Sequence, residues 1–92
     1  MINSFANKET RNLYETDKSA KFSNIARVAL RKLIQLNEAS NLRDLSVPPG
    51  NQPESLRGNR RGQHSIRIND QWRICFRWAR SDCADVEICD YN

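Results

Sequence analysis

The stretch Gln63-His64-Ser65-Ile66-Arg67-Ile68-Asn69-Asp70-Gln71-Trp72-Arg73-Ile74-Cys75-Phe76-Arg77-Trp78 decides the fold. Apolar and polar residues alternate on either side of Asn69-Asp70, a dipeptide suited to a tight hairpin turn. Successive side chains of an extended chain point to opposite faces, so a period of two sorts them. His64, Ile66, Ile68, Trp72, Ile74, Phe76 and Trp78 fall on one face; Ser65, Arg67, Arg73, Cys75 and Arg77 fall on the other. After a turn at Arg80-Ser81-Asp82, residues 84–90 repeat the pattern. Val86 and Ile88 join the apolar face, and Glu87, Cys89 and Tyr91 the polar one. Antiparallel strands with one greasy face need a cover.

Two helices upstream can supply it. Asn7 is a suitable N-cap for a short helix over residues 8–16, which carries Leu13 and Tyr14. Ser23 is the expected cap of a longer one, reaching about Ala39, with an apolar stripe of Ile25, Ala26, Ala29, Leu30, Leu33 and Leu36. Arg27, Arg31 and Gln35 stack on its solvent side. Residues 2–5 read as a short strand, and residues 41–45 as one more turn with inward leucines. Val47-Pro48-Pro49-Gly50-Asn51-Gln52-Pro53 is a loop, because proline fixes φ and lacks a donor. The loop continues through Leu56-Arg57-Gly58-Asn59-Arg60-Arg61-Gly62. The fold class is therefore α+β, one domain over residues 1–92, with two helices packed on one face of a small, mainly antiparallel sheet. The polar face is expected to stand open.

Composition narrows the function. No apolar run approaches the roughly 20 residues that span a bilayer, and no secretory leader is visible, so a cytoplasmic protein is expected. Three cysteines (Cys75, Cys83, Cys89) without CxxC spacing and a single histidine argue against a disulfide framework or a metal site. The formal charge is +4. Between residues 57 and 80 lie seven arginines (Arg57, Arg60, Arg61, Arg67, Arg73, Arg77, Arg80) and one acid, Asp70; all the lysines lie N-terminal to that segment. Arginine grips phosphate through a planar fork where lysine offers a point charge. An arginine-rich sheet face fed by an arginine-rich loop points to a polyanion.

His64 shares its register with Ile66 and Ile68, so it is read as structural and not as a base. Cys75 and Cys89 are read as small fillers able to lie close together, and Trp72 and Trp78 as core.

Leu56-Arg57-Gly58-Asn59, then Ile68-Asn69-Asp70-Gln71-Trp72-Arg73-Ile74-Cys75-Phe76, then Asp90-Tyr91-Asn92 resemble the HigB toxins of the RelE superfamily. The opening Ile2-Asn3-Ser4-Phe5 and the order of a short helix followed by a long one fit the same pattern. The resemblance implies a toxin of a type II toxin–antitoxin pair that cuts messenger RNA in the ribosomal A site. It implies as partners a helix-turn-helix, HigA-like antitoxin and, through the complex, operator DNA. It implies no cofactor. The family's functional positions carry over to Arg57, Arg73, Asp90 and Tyr91. Two positions depart: Glu54 and Asn92 stand where active members have histidine.

Metal-free RNA cleavage needs a base for the 2′-hydroxyl, positive charge for the developing phosphorane and an acid for the leaving 5′-oxygen. Arg57 and Arg73 suit the second role, with Arg60, Arg61, Arg67 and Arg77 as further RNA contacts. Glu54 or Asp90 can accept the 2′ proton, although a carboxylate of ordinary pKa, near 4, is a weak base at neutral pH. Tyr91 can orient the phosphate, and Asn92 can hydrogen-bond without exchanging a proton. The expectation is a slow endonuclease; the alternative is a non-catalytic ribosome- or RNA-binding toxin, or an antitoxin-binding co-repressor.

Overall fold

The computed structural model describes residues 1–90. Helix α1 (Lys8–Thr16) begins where Asn7 accepts a hydrogen bond from the Thr10 backbone N–H at 2.9 Å. That satisfies one of the helix's orphan donors. It ends at Asp17, whose left-handed backbone (φ 65°) turns its N–H onto the Leu13 carbonyl. Thr10 is fully buried and its Oγ1 accepts from the Ile88 N–H at 3.0 Å, which ties the helix to the sheet.

Helix α2 (Ala26–Glu38) starts later than the sequence suggests. Ile25 occupies the cap position, no side chain caps it, and Ser23 is exposed. The reason is burial: Phe22 and Ile25 enter the core, joined by an Ile25 N–H to Phe22 carbonyl bond of 3.0 Å, and this tight entry overrides the better local cap. Gln35 is not a plain solvent residue either, since it reaches the Val47 carbonyl.

Four strands follow: β1 (Glu54–Ser55), β2 (Gln63–Arg67), β3 (Trp72–Ala79) and β4 (Asp82–Asp90), antiparallel throughout in the order β1-β2-β3-β4. Residues 2–5 form no full strand but bridge β4 in parallel at Ile2–Cys83 and Phe5–Val86. The hairpin of β2 and β3 keeps the expected alternation, and Ile66, Ile68, Ile74, Phe76, Val86 and Ile88 meet Leu13, Phe22, Ala29, Leu33, Leu36 and Leu45 in one core.

Two features depart from the simple alternation. The pairing of β3 with β4 slips between Cys75 and Arg77, and Asp85 takes a positive φ of 52°. The extra residue reverses the faces below it, so Cys83 turns into the core, where burial pushes its thiol up to about 11. Second, the polar face is not open. Leu56 folds over it and buries Cys75 and Cys89 in a small second cluster.

Candidate active site

Register places the outer-face residues in rows. Glu54 faces Ser65, Ser65 faces Cys75 and Cys75 faces Glu87 across successive strands; in the adjoining row Arg67 faces Arg73, which faces Cys89. Arg73 therefore sits diagonally across from Glu54, with Ser65 beside it.

Arg73 is only 5% exposed. Its Nε donates to Ser65 Oγ at 2.8 Å, Nη2 donates to the Gln52 carbonyl, and Nη1 lies 3.9 Å from Glu54 Oε1. Gln52 presents that carbonyl from a left-handed backbone (φ 42°) that closes the turn Pro49–Asn51. The guanidinium is thus held before any ligand arrives, and Glu54, about half exposed, rims it on the solvent side. A fixed cation of this kind stabilises charge developing on an anion without reorganising first. Glu54 also borders a recess of about 170 Å³ with Leu42, Leu45, Pro53, Ser55, His64, Ser65 and Phe76. His64 stacks on Phe76 at 6.0 Å, in keeping with a structural role.

The other expected residues are spread more widely. Arg57 and Arg61 are exposed on the loop. Arg60 pairs with Glu87 at 2.7 Å and reaches Gln63; the bond to Glu87 raises its proton affinity further. Arg67 pairs with Asp70, and Arg77 with Asp85 at 3.4 Å. Asp90 pairs across the sheet with Trp72, beside the Arg73 row, and accepts from Gln71 Nε2 at 3.1 Å. Tyr91 and Asn92 lie outside the described residues. The thiols are buried beneath Leu56; the Cys75 neighbour and burial push Cys89 up, whereas Cys89 and then Arg60 hold Cys75 low.

Sequence reasoning missed Lys32, Asn51, Gln52 and the anchoring role of Ser65. For Lys32 a signal existed: position 32 falls on the same spacing as Ala29, Leu33 and Leu36, so its side chain had to be accommodated inside.

Residues 3–91 match the HigB-like toxin family, RelE-like toxins of type II toxin–antitoxin systems. Toxin HigB-1 of Vibrio cholerae is 42% identical over 76 residues, covering 80% of each chain. The chain belongs to the HigB-like toxins. An uncharacterized Haemophilus influenzae protein is 33% identical over 60 residues, 65% of this HigB-like toxin and 59% of that protein. Among solved structures, the YoeB-YefM toxin–antitoxin complex of Staphylococcus aureus (TM-score 0.62, 18% identity, covering 100% of this chain and 98% of that one) shares the fold. So does a histidine-to-glutamine mutant of YafQ from E. coli (TM-score 0.61, 13% identity, covering 99% and 92%). The HigB-like toxin has, among its described residues, no cluster of three metal-ligating side chains and no helix long and apolar enough to cross a membrane.

Proposed function

We propose that this HigB-like toxin, as one domain over its whole length, is a slow, metal-independent and ribosome-dependent mRNA endonuclease of the cytoplasm. The observation that carries the reading is Arg73, a nearly buried guanidinium fixed by Ser65 and Gln52 with a carboxylate, Glu54, at its solvent edge. In the reaction, the 2′-oxygen of the nucleotide bonds to the adjacent phosphorus and the bond to the 5′-oxygen breaks, leaving a 2′,3′-cyclic phosphate and a 5′-hydroxyl. Arg73 and Arg57 neutralise the non-bridging oxygens. Glu54 or Asp90 accepts the 2′ proton and later returns it to solvent, the departing 5′-oxygen takes its proton from water, Tyr91 orients the phosphate, and Asn92 contributes a hydrogen bond only. Replacing imidazoles by Glu54 and Asn92 costs part of the acid–base term, worth about two to four orders of magnitude, and leaves the electrostatic one. Arg60, Arg61, Arg67 and Arg77 add contacts to RNA. The partners are the ribosomal A site, mRNA and a helix-turn-helix, HigA-like antitoxin, which carries the complex to operator DNA.

Primer extension on mRNA from cells expressing the protein tests this. Codon-phased cuts are expected from the wild type. R73A, verified as folded, should lose about a hundredfold or more. Asn92→His should raise cleavage by restoring a group that exchanges protons near neutral pH. Intact mRNA with arrested growth would establish instead a toxin that binds without turnover.

A further inference from the structure

Lys32 has no part in the chemistry above, yet it is among the least expected features of the molecule: a lysine only 7% exposed, on the core-facing side of α2. Its Nζ donates to Asn51 Oδ1 at 2.7 Å and to the Arg67 carbonyl at 2.8 Å. No carboxylate pairs with it among the described residues. Burial lowers its proton affinity first, and the neighbouring charges of Arg31, Arg67 and Arg73 lower it further. A buried charge without a counter-ion is costly, and polar acceptors alone hold it here.

Both acceptors adjoin Arg73. Arg67 is its direct partner across β2 and β3. Asn51 precedes Gln52, whose carbonyl takes the Arg73 Nη2 hydrogen bond. Asn51 is fully buried and spends its own amide protons on Gln35 Oε1 and the Leu45 carbonyl, both at 3.1 Å, so it cannot shift without breaking several bonds. Helix α2 thus grips, through one ammonium group, the loop and the strand that flank the guanidinium.

We propose that Lys32 is a positioning residue, which through Asn51–Gln52 on one side and Arg67 on the other fixes where the Arg73 guanidinium stands. The inference deepens the endonuclease reading and rests on it for its kinetic effect. It also makes a claim about Arg73 that does not depend on turnover.

The test compares wild type with K32M, which keeps the length of the side chain and removes its donors. Two readouts are used: ribosome-dependent cleavage, and the Arg73 Nε–H resonance in the NMR spectrum of the free protein. In folded K32M the rate at saturating ribosomes should fall about ten- to a hundredfold, the loss typical of a small misplacement, with half-saturation changed less than about twofold. The Arg73 resonance should shift and its proton should exchange faster with water. If K32M does not fold, K32R replaces it; it keeps the buried charge but exchanges the compact donor for a planar fork, so the same changes are expected at smaller size. An unmoved Arg73 resonance in a folded variant overturns the proposal, as does weaker half-saturation at an unchanged rate. Should the wild type fail to cleave at all, the endonuclease reading falls, and the Arg73 resonance alone still decides the role of Lys32.

Discussion

Arg73 and Lys32 carry like charges in nearly dry surroundings, and the protein handles them differently. Arg73 has a carboxylate at its edge and a hydroxyl and a carbonyl behind it. Lys32 has only an amide oxygen and a carbonyl. The consequence for Lys32 is a pH-dependent stability whose sign is fixed. Its folded-state pKa lies below the ordinary 10.5. While both states hold the proton, the folded protein bears the whole cost of the buried charge. As pH climbs past the folded-state value, the folded protein sheds the proton and the unfolded chain keeps it until 10.5. The unfolded state then binds more protons, so stability rises with pH across that window. Thermal unfolding of wild type and K32M, followed through the alkaline range up to 10.5, should show the difference between them moving in favour of the wild type. A constant difference would mean that Lys32 holds its proton equally well folded and unfolded. Strand parity was enough to put Arg73 on the outer face of the sheet, although not to show that Ser65 and the Gln52 carbonyl hold it there nearly buried. Lys32 was not, since a lysine in an apolar stripe says that something must satisfy it without saying what.

Among the elements, the helix starts show what local sequence can and cannot decide. On local sequence Asn7 is a suitable cap and Ser23, followed by the apolar stripe, the better one. Asn7 performs the role, whereas Ser23 stands exposed one turn before a helix that begins at Ala26. Asn7→Ala should therefore cost about 1 kcal/mol, and Ser23→Ala should change stability by less than about 0.5 kcal/mol. Equal losses in urea unfolding would mean that the α2 entry is capped by Ser23 after all. The strands were legible for a different reason: period-two alternation survives any loop, and the hairpin of β2 and β3 pairs as its pattern demands. The bulge at Asp85 was not, because no glycine marks it, and a one-residue slip exchanges the faces of everything beyond it. Leu56 opens the run Leu56-Arg57-Gly58-Asn59, yet its part in covering the outer face depends on where the loop lands, which no spacing encodes.

For the molecule as a whole, charge pairing changes what a polyanion meets. Read along the chain, residues 57–80 are strongly basic, but in three dimensions the acids return to them. Arg60 has Glu87, Arg67 has Asp70, Arg73 has Glu54 and Arg77 has Asp85. Arg57 and Arg61 are exposed. When a paired arginine turns to phosphate, the acid it leaves gathers a cation from solution, which offsets the counterion that the RNA releases. Only arginines without an acid contribute their full share to the salt dependence. Binding of a short single-stranded RNA should then weaken with a slope of log K on log salt of about −1.5 to −2, against about −4 if all six candidate arginines counted fully. Among the pairs, Arg60–Glu87 is the shortest with both partners partly shielded, whereas the Asp70 side chain is fully exposed. Glu87→Gln should release Arg60 and steepen the slope by about 0.7, one phosphate's worth for a single strand. Fluorescence anisotropy between about 50 and about 200 mM salt measures both values. A wild-type slope near −4, unchanged in Glu87→Gln, would mean that the ion pairs give way to RNA at no electrostatic cost, and that the acids on this face do nothing to set the affinity.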